Sequence, residues 1–412
     1  MLQKINYILL SVLCTFTFKN TTAQSQQSID DQLKRVRGEG ILNTITTAVP
    51  FLMISPDSRA GGMGDVGAAT TADANSSHWN NSKYAFIESN MGLSFSYVPW
   101  LKNLVPDINM SYLSGYKRIN DQMVMSGSIR YFTLGEINLT DEGGNTFQVI
   151  KPNETAADAG IAYKLSEKFS GGFKLRYVHS NLTAGVSTLN DTKPARAVAA
   201  DLSGFYTTDI KVSQYNSKLN FGFNISNIGN KVSYSEAARR DFIPINMRLG
   251  SGLVMELDEF NTWGIYADVN KLLVPTPPVL LRDDNNNVVI GDDGEPAILA
   301  GKNPNVSVPV GMINSFYDAP GGFREELSEY TLSVGTEYWY DKQFAMRAGY
   351  FYENPNKGNR KYLTVGAGIK YEMLYIDFSY LVSLDQRNPL ENTVRFSLKL
   401  DLDQLKKSND KN

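Results

Sequence analysis

"SKLNFGFNISNIG", residues 217–229, sets the reading of the whole chain. Leu219, Phe221, Phe223 and Ile225 take alternate positions, with Lys218, Asn220, Gly222 and Asn224 between them. Successive side chains of a strand point to opposite faces, so this segment is a strand with one apolar and one polar face. The pattern returns from residue 91 onward. Phe169, Phe173, Leu175 and Tyr177 alternate with Ser170, Lys174 and Arg176; Ile245, Met247, Leu249 and Leu253 with Asn246, Arg248 and Glu256; Leu363, Val365, Ala367, Ile369 and Tyr371 with Thr364, Lys370 and Glu372. Counted in this way the chain holds about 14 strands. They start near Gly92, Asp107, Gln122, Ala157, Phe169, Arg196, Lys218, Pro244, Thr262, Glu329, Gln343, Tyr362, Tyr375 and Asn392.

The placement of charge separates a membrane barrel from a soluble sandwich. Arg130, Lys164, Lys174, Arg176, Asp201, Lys218, Arg248, Asp268, Glu337, Arg347, Lys370, Asp377 and Arg395 all lie opposite the apolar residues. A lipid-facing Arg or Lys at the bilayer midplane costs roughly 2–4 kcal/mol, which explains a face kept free of charge. The fold class is therefore all-β: an antiparallel transmembrane β-barrel of about 14 strands with an N-terminal plug segment. Arg at Phe223 or Leu249 is expected to harm assembly far more than Arg at Asn224 or Gly250. The connections alternate in length, as in outer-membrane barrels with short periplasmic turns and long external loops. Short ones fall near 117–121, 166–168, 258–261, 341–342 and 372–374, with 207–217 somewhat longer. Long ones fall at 99–106, 133–156, 181–195, 230–243, 273–328, 354–361 and 385–391. Aromatic residues such as Trp100, Tyr131, Tyr177, Trp263, Trp339 and Tyr350 mark strand ends, where interfacial girdles belong.

The N-terminus reads as a secretory signal peptide over residues 1–23: Lys4, an apolar stretch from Ile5 to Phe18, and Ala23 before the cleavage point. That stretch is too short to cross a bilayer as a helix. Residues 24–90 read as an N-terminal segment and lumen plug, 91–402 as the outer membrane barrel and 403–412 as a periplasmic tail. Cys14 is the only cysteine, so the mature chain has no disulfide, thiolate site or cysteine nucleophile. Lys and Arg number 40 against 43 Asp and Glu, which gives no basic field to attract nucleic acid. His78 and His179, the only histidines, have no metal-ligand spacing. No G-x-S-x-G elbow is present, and no catalytic, cofactor or metal residues are assigned.

"RAGGMGDVGAAT", residues 59–70, contains Gly62-x-Gly64-x-x-Gly67, the spacing of a dinucleotide-binding turn. That turn must follow a buried strand and open a helix. Here Ser55-Pro56-Asp57-Ser58-Arg59 interrupts the preceding apolar run, so the glycines are read as plug chemistry. Small residues allow close backbone approach inside a crowded lumen. Gly62, Gly64, Gly67, Trp79 and Asn80 are the plug residues.

"SRAGGMGDVGAATTADANSSHWNNSKYAF", residues 58–86, followed by the alternating strands, resembles the fatty acid transporter (FadL-like) barrel superfamily. Within it the chain is most similar to the PorV (LptO) family of the type IX secretion system. Asn80-Asn81-Ser82 stands where the fatty acid transporters carry Asn-Pro-Ala, so the resemblance brings no transport kink to this site. "DLDQLKKSNDKN" follows the last strand, which places the insertion signal internally, near Phe396 to Leu402. The resemblance implies a noncatalytic, integral protein of the bacterial outer membrane, with long loops outside and both termini periplasmic. Implied partners are the large type IX translocon barrel (SprA/Sov-like), the C-terminal domains of secreted cargo, attachment complex components and outer membrane lipid. The alternative is FadL-like uptake of hydrophobic small molecules.

The connection from Leu273 to Ser328, at roughly 50 residues, exceeds ordinary loop lengths and is expected to bind partners. Asp283, Asn285 and Asn287 have calcium-like spacing, but Val288 and Gly294 stand where that loop needs glycine and an acid. "VSVPVGMINSFY", residues 306–317, is apolar instead, and Val308, Val310, Met312, Phe316 and Tyr317 are the candidate partner-binding residues.

Overall fold

The alternating segments pair with one another in sequence order, and the last returns to the first. The computed structural model describes residues 43–101, 105, 107–182, 192–235, 239–283, 285–384 and 390–403. The signal peptide, residues 24–42 and residues 404–412 of the tail lie outside the described residues. The barrel strands are β1 (Met91–Pro99), β2 (Asn109–Arg118), β3 (Met123–Thr133), β4 (Asn153–Lys164), β5 (Phe169–Asn181), β6 (Ala195–Val212) and β7 (Tyr215–Gly229). They continue as β8 (Asn246–Glu256), β9 (Asn261–Leu272), β10 (Thr331–Tyr340), β11 (Phe344–Tyr352), β12 (Lys361–Tyr371), β13 (Leu374–Ser383) and β14 (Val394–Asp401). Each is antiparallel to its predecessor, and β1 closes on β14 with Phe95 opposite Leu398. Closure removes every sheet edge, the condition for a sheet to stand in lipid. Among the described residues no helix is long and apolar enough to cross a membrane.

Facing follows the alternation. Phe223 and Leu249 are cross-strand partners at 41% and 48% exposure, on the same outward surface as Phe95 and Leu398. The intervening positions turn inward and are buried: Ser94 and Ser96 on β1, Lys174 and Arg176 on β5, Glu337 on β10.

Two connections differ from the sequence reading. The span from 133 to 156 contains its own antiparallel hairpin, Ile137–Thr140 against Thr146–Ile150, and β4 begins at Asn153, not near Ala157. The span from 207 to 217 is no loop. β6 and β7 run on through it and are joined by Ser213 and Gln214, with Ser213 at φ 57°. Transmembrane strands need only about 9–11 residues. The outer ends of these two longer strands leave the apolar band, so the period-two signal fades although pairing continues.

Residues 46–90 occupy the lumen as short turns of helix rather than as a strand. A 3-10 turn (Pro50–Met53), α1 (Ser58–Gly61), α2 (Ser76–Trp79) and a second 3-10 turn (Asn81–Phe86) follow one another. Tyr84, fully buried, stacks on Tyr116 of β2 at 5.1 Å and packs with Val124 and Ala162. Met63 and Val66 pack on Tyr266 of β9.

Residues 43–45 and Pro275–Ser328 form a separate unit. Val279–Leu280 pairs with Ile298–Ala300, and the intervening chain folds back on this pair through further backbone hydrogen bonds. Two helices follow, α3 (Val308–Asn314) and α4 (Phe323–Ser328). Asn43 joins the unit by donating to Glu325 Oε1 at 2.8 Å.

Candidate functional site

The lumen is filled by the chain's own N-terminal segment, held at contact distances that only small residues allow. Gly64 adopts φ 69°, and a Cβ there would meet the Tyr350 backbone at 2.7 Å. Gly62 lies against Gly366. Gly67 supports the Trp79 ring, whose Cδ2 would stand 2.3 Å from an added Cβ. None of these glycines opens a strand-to-helix turn, because α1 ends before them. The nucleotide geometry is therefore absent.

Side chains from the barrel wall satisfy the backbone of this turn. Asp268 Oδ2 accepts the N–H groups of Gly67 (2.8 Å) and Ala68 (2.9 Å), and Thr364 Oγ1 accepts that of Gly64 (2.8 Å). The Trp79 indole donates to Asp57 (2.6 Å), which also caps α1 through Ala60 N–H. The Arg248 guanidinium covers the Trp79 ring at 4.4 Å. Asn80 bridges plug and wall, donating to the carbonyls of Ala68 (2.9 Å) and Gly204 (3.0 Å). A guanidinium only donates, so His78 Nδ1 accepts from Arg130 Nη2 at 2.6 Å. His179 sits at the far end of β5.

Two groups of the inward charges form closed sets. Arg59 donates to Glu337 through Nε (2.9 Å) and Nη2 (2.7 Å), and Glu337 also accepts from Arg347 (2.8 Å). Arg347 reaches Asp377 (2.7 Å), Asp377 pairs with Lys399 (2.8 Å), Lys399 lies 3.5 Å from Asp73, and Asp73 returns to Arg59 at 3.4 Å. Positive and negative groups thus alternate around a ring joining the plug to β10, β11, β13 and β14. A smaller box on β4, β5 and β6 sets Lys174 and Arg176 between Asp158 and Asp201. Asp201 gains its position from a bulge at the β6–β7 pairing, where Asn227 turns to φ 62° and donates its N–H to Asp201 at 2.7 Å. Buried charge survives only where it is paired, and every member of both sets has an opposite charge within 4 Å. A cavity of about 700 Å³ remains at the short-turn mouth, lined by Lys218, Lys342, Lys370 and Tyr375 among others.

The second element is the insertion between β9 and β10. Asp283 turns its carboxylate onto its own loop, accepting the N–H groups of Asn285 (2.9 Å) and Asn287 (2.8 Å). The Asn287 N–H holds this exposed carboxyl below the usual carboxylate range. The residues with calcium-like spacing are thus spent on a turn. The apolar stretch forms α3, with Gly311 buried. Val310 and Ile313 are exposed on α3, and Phe316 and Tyr317 are exposed in the turn that follows it. Val308 and Met312 are half-buried, while Ile313, not among the residues singled out from the sequence, is exposed. Phe323 and Leu327 of α4 are exposed as well.

The profile described as "Type IX secretion system protein PorV" matches residues 39–279, more than half of the chain and including plug and wall from β1 to β9. The chain belongs to the PorV family. Type IX secretion and the outer membrane come with that membership. Among solved structures the chain is similar to the toluene transporter TbuX of Ralstonia pickettii, with 10% identity, TM-score 0.42 and coverage of 87% of this chain and 97% of that one. The toluene transporter TodX of Pseudomonas putida gives 13% identity and TM-score 0.44 over 87% and 98%. A FadL homologue of Pseudomonas aeruginosa gives 14% and 0.43 over 87% and 99%. No curated relative matches the chain.

Proposed function

We propose that this PorV-family barrel is a noncatalytic carrier in type IX secretion, binding the large SprA/Sov-like translocon barrel and the C-terminal domain of cargo and passing cargo to the attachment complex. The observation that carries the reading is the exposed stripe of Val310, Ile313, Phe316 and Tyr317. Water-exposed aromatic and aliphatic side chains grouped on one short helix and the turn after it are the composition of an interface anchor. In this reading the long connections lie outside and both termini face the periplasm. Residues 24–90 serve as N-terminal segment and plug, 91–402 as the barrel and 403–412 as a tail. The plug residues Gly62, Gly64, Gly67, Trp79 and Asn80 hold the lumen filled and leave carriage to the surface. Val308 and Met312 support the stripe from beneath.

Replacing Val310, Ile313, Phe316 and Tyr317 together by Ser tests this. The variant should keep its heat-modifiable barrel migration while losing co-purification of the large translocon barrel and export of cargo. Retention of both activities overturns the assignment. Recovery of bound fatty acid with no protein partner from gently solubilised native membranes would favour hydrophobic uptake instead.

A further inference from the structure

The proposed carriage gives no role to the cavity of about 700 Å³ at the short-turn mouth. Its charges are sorted around the wall. Lys218 near the start of β7, Lys342 in the β10–β11 turn and Lys370 near the end of β12 lie on one arc, whereas exposed Glu88 and half-buried Asp401 stand at the seam of β14 and β1. Arg59, Asp73 and Lys399 also reach the cavity, but the ring of ion pairs takes them up. Among the described residues the three arc lysines have no carboxylate partner. Asp209 stands opposite Lys218 in register without pairing with it, and the Lys370 ammonium lies 5.0 Å over the Tyr375 ring. Trp339, turned inward between the exposed Tyr338 and Tyr340, adds an aromatic surface to the middle of the arc.

The turn that carries Lys342 is a second observation. Its Gln343 N–H donates to the Tyr340 carbonyl (3.0 Å), which leaves Asp341 and Lys342 as the central pair at φ 50° and 53°. A turn with two positive φ values favours glycine in its second place. The turn itself therefore gives no reason for a lysine there. The span of the arc limits what can meet it. Neighbouring strands lie about 4.8 Å apart, so β7 and β12, five steps from each other around the wall, set Lys218 and Lys370 roughly 20 Å apart. One carboxylate cannot bridge that distance, but an extended chain at about 3.3 Å per residue covers it with about six residues. The chain's own end has the wrong charge, since residues 404–412 carry Lys406, Lys407 and Lys411 against Asp410.

We propose that this mouth docks an extended, acidic segment of a periplasmic protein. Its Glu or Asp side chains meet Lys218, Lys342 and Lys370, and its apolar residues lie on Trp339 and Tyr375. Only the partner's compartment rests on the orientation given above, with the long connections outside.

The full-length protein in mild detergent is titrated with a fluorescein-labelled peptide of about eight residues, Glu with interspersed Phe, and binding is read by anisotropy. The peptide should saturate a single site and bind more weakly as salt rises, whereas its counterpart with Lys in place of Glu should not bind. K218S/K342S/K370S should lose about tenfold in affinity, and K361S, at the other end of β12, should match the wild type. K342G separates the site from the scaffold. Glycine relaxes the turn, so heat-modifiable migration should survive to at least the wild-type temperature while peptide affinity falls several-fold. Undiminished binding in either lysine variant, or equal binding of the Lys peptide, overturns the site. Displacement by an equal concentration of dodecanoate also overturns it, because a small amphiphile would then be the occupant. The compartment is read separately: K342C should react with an impermeant maleimide only after the outer membrane of whole cells is opened. Reaction on intact cells strikes the orientation and leaves the peptide measurement standing.

Discussion

Gly222 and Gly127 both interrupt barrel strands, yet their surroundings give opposite tolerance. A Cβ on Gly222 would lie 2.0 Å from the Ala68 carbonyl oxygen of the plug, whereas one on Gly127 meets only the Asp158 carbonyl oxygen at 3.6 Å. Overpacking of this kind costs roughly 1–3 kcal/mol. Gly222→Ala should lower the temperature at which the barrel loses its compact gel migration, and Gly127→Ala should leave it unchanged. Equal midpoints would show that the plug does not press on the wall at β7. The sequence marks both positions only as small. What distinguishes them is a neighbour far away along the chain, beyond the reach of any local pattern.

Among the elements, the strands were legible because period-two alternation is written into each one independently of its partners. All fourteen starting points inferred from alternation fall within or beside observed barrel strands. The helix α3 was not legible as a helix: "VPVGMIN" carries Pro309, Gly311 and two valines, poor helix formers, and its turn is completed only within the insertion. Inward positions are closely packed as well as polar. A Cβ on Gly250 would already stand 2.3 Å from Asp268 Oδ1 and 2.7 Å from the Ala68 Cβ. Two arginine substitutions should therefore fail differently. Phe223→Arg, facing lipid, should reduce membrane assembly, at a cost of roughly 2–4 kcal/mol near the midplane. Gly250→Arg should permit assembly while expelling the plug, giving a heat-modifiable barrel whose N-terminal segment is cut by added protease. A protected N-terminal segment in Gly250→Arg would contradict the packing.

At the scale of the whole molecule the ring of alternating charges makes plug and wall one body. Removing one partner from a buried set costs about 3–5 kcal/mol, because the remaining charges are left uncompensated. In planar bilayers the wild-type barrel should show little ionic current, and R347A, which takes one of two cationic partners from both Glu337 and Asp377, should produce resolvable conductance steps. Silence from R347A would mean that packing alone keeps the lumen filled. The ring was hidden in the sequence, where Glu337, Arg347 and Asp377 showed only that they face inward.

That ring also constrains the order in which the chain can assemble. Arg59 finds its carboxylate 278 residues later, and Asp73 waits for Lys399, 326 residues on. Until the first-made and last-made portions meet, Arg59 and Asp73 lack these partners, and a sheet closing around an empty interior would leave Glu337 and Lys399 with only their wall partners Arg347 and Asp377. Zipping the seam between β14 and β1 and seating the N-terminal segment are therefore most favourable as a single concerted step. A product made without its first residues would be left with a kinetic problem rather than merely an open pore.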